Sequence, residues 1–479
     1  MHATPTTIAA HLRATVLAVV LLALAGPASA QYFGRNKVMY ESFDFRVLET
    51  EHFDIHFYPP DNPMAKDAGL MAERWYSRLA GVFDHRFVDR KPIILYANHA
   101  DFQQTNVSEG FISEGTGGFT EFAKNRVVMP MTGDYAGFDH VLGHELVHAF
   151  QFDIAAAGVD SIPFRIQMLP LWMVEGMAEY LSVGRDDPHT GMWMRDALIH
   201  DDFPTIKDLS TDPRFFPYRY GQALFAYVGG TYGDEKVTQF YKSAGKRGSD
   251  YAFAKTLGMS ADSLSREWEA ATRTHYEPLM AGRTYPDSLS GVVLHPDRGC
   301  GNLNIAPVLS PDGRYVAYLT EKDLFSISLY VADSKTGAVE RKLISSGTNP
   351  HFDALRFIDS AGTWSPDGTR FAFSVFAKGN NDIVIVNDKG KVKDRIRLRN
   401  IGSISNPAWS PDGQWIAFSG DSKGISDLFV VNVETRELRR LTDDRFTAMQ
   451  PAWSPDGKTI AYVTDKGEDT NLSELRYGT

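Results

Sequence analysis

Four copies of one turn set the narrowest limit on what this chain can become. Ser310-Pro311-Asp312-Gly313 recurs as Ser365-Pro366-Asp367-Gly368, Ser410-Pro411-Asp412-Gly413 and Ser454-Pro455-Asp456-Gly457, the aspartates stepping by 55, 45 and 44 residues. Repeats of about 40–50 residues built from short strands are the mark of propeller blades. Proline fixes φ, aspartate accepts local backbone hydrogen bonds, and glycine takes the positive φ that starts the return strand. Trp364, Trp409 and Trp453 precede the last three turns and Leu309 the first; the tryptophans are expected to pack between blades. Each turn leads into a period-two strand such as Trp415-Ile416-Ala417-Phe418.

These motifs resemble the repeats of the TolB-type propeller, a relative of WD-repeat propellers, over residues 296–479. That family commonly has more blades than four, and the fourth copy stops short of four strands. An open propeller leaves an unpaired edge strand, so the chain is expected to be the N-terminal portion of a longer protein. A closed four-bladed ring is the alternative. Gly420-Asp421-Ser422-Lys423-Gly424 matches G-x-S-x-G, but a nucleophile elbow needs a following helix, and this stretch reads as a hairpin loop.

Upstream, residues 1–30 read as a secretory signal peptide: a weakly basic start, an apolar run from Thr15 to Leu24, then Ala28-Ser29-Ala30. Cleavage after Ala30 makes the mature protein periplasmic or secreted, with no transmembrane segment left. A single cysteine, Cys300, excludes an intramolecular disulfide framework and a multi-cysteine metal ribbon. The formal charge of −11 argues against nucleic acid as a partner. Residues 31–285 form one domain, 286–295 a linker and 296–479 the propeller. In Glu51-His52-Phe53-Asp54-Ile55-His56-Phe57 apolar and polar residues alternate. His52, Asp54 and His56 therefore share a strand face, read as a solvated one. Helical spacing runs over 62–83, and a mostly helical pattern over 138–274.

The chemistry lies in that helical stretch. Gly143-His144-Glu145-Leu146-Val147-His148 contains H-E-x-x-H in an apolar helix. His144 and His148 lie one turn apart on one face, where two imidazoles hold one zinc ion; Glu145 sits beside the open position as general base. In Leu171-Trp172-Met173-Val174-Glu175-Gly176-Met177-Ala178-Glu179-Tyr180 two acids share a face. Glu175 is the better third ligand, leaving Glu179 one turn on to orient a zinc-bound imidazole.

H-E-L-V-H followed by W-x-x-E-G-x-A-E resembles the gluzincins, most closely the peptidase MA-like domains, over about residues 45–280. The resemblance implies an α+β zincin-like metallopeptidase domain ahead of the partial, about four-bladed, all-β propeller. It maps the third zinc ligand onto Glu175, across a longer interval from His148 than in the best-known members; a loop at 156–163 is expected to absorb the difference. It maps the tyrosine that stabilises the tetrahedral intermediate onto Tyr218 of Pro217-Tyr218-Arg219-Tyr220-Gly221, with Tyr220 as the fallback and plain packing as the alternative for either. Gly117-Gly118-Phe119-Thr120 lies where the family has its substrate-binding strand. Thr120 stands in place of the amine-binding glutamate, which favours endopeptidase over aminopeptidase activity.

The expectation is an exported zinc metallopeptidase with one Zn2+. His144, His148 and Glu175 hold the ion, Glu145 is the base, Tyr218 and the ion share the oxyanion, and the substrate is a peptide or protein. The alternative is a non-catalytic binding or scaffold protein, its propeller recognising a cell-envelope partner and its metal site structural or vestigial. Zinc hydrolysis of a non-peptide substrate follows the same site logic.

Overall fold

The computed structural model describes residues 39–466 and 476–478, apart from 60–61, 109–111, 113–114, 158–163, 286–287, 289–290, 302, 324–325, 346–353, 356–361 and 399–400. The expected signal peptide, most of the loop at 156–163 and part of the linker lie outside the described residues.

Strands β1 (Arg46–Glu49), β2 (Phe53–Phe57), β3 (Lys91–Tyr96), β4 (Phe119–Glu121) and β5 (Arg126–Pro130) form one sheet in the order β1-β2-β3-β5-β4. The pairs β2–β3 and β3–β5 are parallel, and β1 and β4 are antiparallel edges. The period-two pattern is realised in β2: Phe53 and Ile55 are fully buried. The polar residues of that stretch find ordinary partners. His52 Nδ1 lies 2.7 Å from Glu73 and Asp54 pairs with Arg90 at 2.8 Å.

The described helices are α1 (Met64–Phe83), α2 (His99–Phe102), α3 (Tyr135–Ala156), α4 (Leu171–Val183), α5 (Pro188–Ile199), α6 (Ile206–Thr211), α7 (Pro217–Tyr232), α8 (Asp234–Arg247), α9 (Ser249–Ala252) and α10 (Ala261–Met280). Helix α3 is buried on nearly every face through its middle, which is why its sequence is apolar all round. One core joins Phe53, Ile55, Ile93, Leu95, Val127 and Met129 of the sheet to α1, α3 and α4. Gly143 lets the Trp75 ring of α1 lie on α3; a Cβ there would meet the ring at 2.6 Å.

The C-terminal part is all β, in four sheets of hydrogen-bonded neighbours. The second, third and fourth pack in succession through the strands Arg370–Ala377, Ile404–Trp409 and Ala448–Trp453. In all four Ser-Pro-Asp-Gly turns the serine hydroxyl donates to the aspartate (2.5–2.7 Å) and accepts from the backbone N–H five residues after the serine (2.9–3.0 Å). Only a group that both donates and accepts closes this turn. Trp364 and Trp453 donate from Nε1 to Val308 and Ala408 of the preceding blade, at 3.2 and 3.1 Å. Trp409 instead donates to Gly413 of its own turn, while its ring packs in a core shared with the second blade.

The propeller-like part docks on the first domain through the G-x-S-x-G stretch. This is the hairpin between the strands Trp415–Ser422 and Ile425–Asn432, with no following helix. Ser426 N–H donates to Gly133 O at 2.8 Å, Thr447 Oγ1 reaches the same carbonyl at 3.3 Å, and Ile425 joins the first domain's core.

Candidate metal centre

Helices α3 and α4 bring three donors to one point. His144 Nε2 lies 3.1 Å from His148 Nε2, and Glu175 Oε2 lies 3.2 and 3.1 Å from the two nitrogens. Ligands about 2.1 Å from a tetrahedral zinc ion are roughly 3.4 Å apart, so this triangle fits one ion with slight expansion. The α4 helix reaches α3 because it also crosses α7 closely: a Cβ on Gly176 would sit 2.4 Å from Gly221 Cα. The glycine after Glu175 is therefore a requirement of helix packing.

The far nitrogen of each imidazole is held. His148 Nδ1–H donates to Oε1 of buried Gln151 at 2.8 Å, and Gln151 Nε2 donates to Val174 O at 3.1 Å, next to Glu175. His144 Nδ1 lies 3.2 Å from Glu179 Oε1. Both contacts leave the Nε2 lone pairs for a cation, the usual support of a metal-bound histidine. Gln151, one turn from His148, carries no motif signal and was not singled out by the sequence; nor were His140 and Arg219, which approach Glu179 Oε2 at 3.3 Å each.

The cluster's charges demand compensation. Burial works against the charged form of His144, yet Glu175 and Glu179 push its pKa up; His148 is raised against burial by Glu175. Burial favours a proton on Glu175, but His148 and His144 hold its carboxyl well below the usual range, and His140 and His144 do the same for Glu179. A divalent cation at the centre of the triangle would supply positive charge to the same carboxylates. His140, His144 and Glu179 also lie within reach of a common ion, but Arg219 already supplies a cation there.

Glu145, one residue after His144, is 5% exposed. Thr120 Oγ1 lies 2.7 Å from its Oε2 and 2.9 Å from its backbone carbonyl. Thr120 thus tethers the candidate base to edge strand β4. Gly118 sits where a Cβ would be 3.2 Å from Glu145 Cγ, and Gly117 faces Val141. Phe119 turns away to stack on Phe102 at 5.8 Å. The Tyr218 ring stacks on His144 with centroids 5.8 Å apart, and burial followed by Glu175 raises its pKa. Tyr220 packs between Phe215 and Trp193, so of the two tyrosines it is Tyr218 that meets the cluster.

Residues 299–478 match the TolB beta propeller domain. This part of the chain is a TolB-type propeller domain. The candidate metal site lies outside the match. Among solved structures, the chain is similar to TolB from Acinetobacter baumannii, at 21% identity and a TM-score of 0.31, over 46% of this chain and 56% of that one. It is also similar to Kuenenia stuttgartiensis hydrazine synthase, at 15% identity and a TM-score of 0.25, over 33% and 50%. The chain thus spans about half the length of these structures. No curated protein matches it. No helix among the described residues is long and apolar enough to cross a membrane.

Proposed function

We propose that the chain is an exported zinc-dependent metallopeptidase of the gluzincin, peptidase MA-like kind, with the propeller recognising substrate or a cell-envelope protein. Export rests on the pattern of residues 1–30. The observation that carries the activity is the convergence of His144, His148 and Glu175 beside Glu145, whose carboxylate is tethered by Thr120. A purely structural metal site needs neither an adjacent free-standing base nor a tyrosine over the cluster.

His144, His148 and Glu175 would hold the ion, which supplies Lewis acidity for water and for a peptide carbonyl. The peptide lies in extended form along the outer edge of β4, pairing through its backbone. Glu145 Oε1 takes the proton of the attacking water and passes it to the leaving amine nitrogen. Tyr218 donates its hydroxyl hydrogen to the oxyanion that develops on the former carbonyl. Thr120 occupies its hydroxyl with Glu145 and offers no negative charge to a substrate amine, which favours cleavage within a chain.

A second reading is favoured by the family match, which falls on the propeller alone: a non-catalytic periplasmic binding or scaffold protein whose metal site is structural or vestigial. Digestion of a peptide library by zinc-loaded protein separates the two. Glu145→Gln is expected to bind zinc and lose cleavage; full cleavage by that variant, or none by the wild type, overturns the peptidase reading.

A further inference from the structure

Aromatic rings continue the cluster in both directions. On one side Tyr218 stacks on His144, Phe216 stacks on Tyr218 at 5.0 Å, and Trp193 lies 5.7 Å from Phe216. On the other, Phe152 lies 6.1 Å from the His148 ring and Phe122 meets Phe152 edge-on at 5.2 Å. Phe216 and Phe122, on either side, are 42% and 46% exposed. Phenylalanine at both ends of a line of rings that crosses the metal cluster is apolar surface placed where a ligand would cover it.

The spacing of the two inner rings, Tyr218 and Phe152, sets the length of ligand that meets both. Tyr218 is beside His144, and Phe152 is eight residues further along α3, about 12 Å on. An extended chain covers that distance in about four residues. Strand β4 runs the same way along α3: Gly117 faces Val141, Thr120 bonds Glu145, and Asn125, just beyond the strand, donates to Ala149 O at 3.2 Å. Its outer edge pairs with no other strand among the described residues. A segment paired there is aligned with the line of rings, and its residues four apart face the same side.

We propose, resting on the peptidase reading above, that the site takes an extended polypeptide carrying two large apolar or aromatic side chains four residues apart, on opposite sides of the scissile bond. One seats against Tyr218 and Phe216, the other against Phe152 and Phe122. Polar or charged residues at these two positions are rejected, because they would cover phenylalanine without gaining a partner.

The test uses zinc-loaded Glu145→Gln protein and short fluorescein-labelled peptides with two phenylalanines spaced four apart, three apart, or replaced by aspartate. Anisotropy should show the four-residue spacing binding tightest. Phe122→Ala and Phe216→Ala should each weaken it roughly threefold to tenfold, with Phe122→Leu restoring most of the loss. Indifference to spacing, or unchanged binding in both alanine variants, overturns the proposal. Digestion by the wild type is read separately. Cleavage with no apolar preference leaves the peptidase and removes the two subsites; spacing-selective binding without cleavage keeps the groove and removes the peptidase.

Discussion

His148 turns its Nδ1 to Oε1 of Gln151, 2.8 Å away, and this contact decides which ring nitrogen is left for a cation. Gln151→Leu keeps the volume and removes the acceptor. Loss of such a support typically costs ten- to a hundredfold in metal affinity. Competition against a chromogenic chelator should show a loss of that order. Equal affinity in the leucine variant would mean that packing alone orients His148.

Thr120 makes a different prediction, because its hydrogen bonds go to the candidate base and to no candidate metal ligand. Its hydroxyl lies 2.7 Å from Glu145 Oε2, and hydrogen bonds to charged groups contribute about 1.5–3 kcal/mol. Thr120→Val should leave zinc content unchanged and lower kcat roughly tenfold to a hundredfold, with KM little altered, while Thr120→Ser retains most of the rate. A fall in zinc content would place the residue's role in folding instead.

The helix crossing behind Glu175 is tested by one methyl group. A Cβ on Gly176 would stand 2.4 Å from Gly221 Cα, against backbone and not the end of a flexible side chain. Gly176→Ala should cost about 1–3 kcal/mol of stability and weaken zinc binding by shifting Glu175. Chemical denaturation and zinc titration measure the two effects; a stable variant with intact affinity would show that α4 and α7 can separate without disturbing the ligand.

What the sequence shows of this molecule is what local spacing controls. Four-residue spacing places His144 and His148 on one face, and their rings lie 4.8 Å apart. The Ser-Pro-Asp-Gly repeat marks each blade through bonds spanning five residues, so it is readable without a fold. Gln151, His140 and Arg219 are ordinary polar residues until α4 and α7 lie against α3. The contact of Thr120 with Glu145 spans 25 residues of chain. The docking of the Ser426 hairpin on Gly133 joins segments nearly 300 residues apart, and no periodicity encodes that.

Asp101 carries a pH dependence whose sign is fixed by burial. Its Oδ2 accepts from Tyr58 Oη and Asn98 Nδ2, each at 3.0 Å. Burial outweighs these bonds and, with nearby Glu41, pushes its pKa from the ordinary 3.8 up to about 6. The folded chain therefore holds this proton more tightly than the unfolded one. The stabilisation is complete below pH 3.8 and is lost as pH rises through about 6, where the buried charge costs up to about 3 kcal/mol. Asp101→Asn escapes the penalty, so its melting temperature should gain on the wild type between pH 4 and pH 7 and then level off. A difference that stays flat across that range in circular-dichroism melts would assign Asp101 an ordinary pKa.

Gly133 couples the two parts of the chain at the start of α3, the helix of the candidate metal site. It has φ of +88°, and a Cβ there would lie 2.6 Å from Asp421 Oδ1 of the propeller-like part. Its carbonyl receives Ser426 N–H and Thr447 Oγ1, and the next residue, Asp134, caps α3 by accepting from Gly137 N–H. Gly133→Ala therefore combines backbone strain with a clash between the two parts, together worth about 1–3 kcal/mol. The loss falls on docking, while the cap and the buried middle of α3 remain. Calorimetry should show one transition for the wild type and a broadened or split one for the variant, with zinc affinity reduced much less than by Gln151→Leu. A single transition unchanged from the wild type's would show that the hairpin contact contributes little to holding the propeller on the first domain.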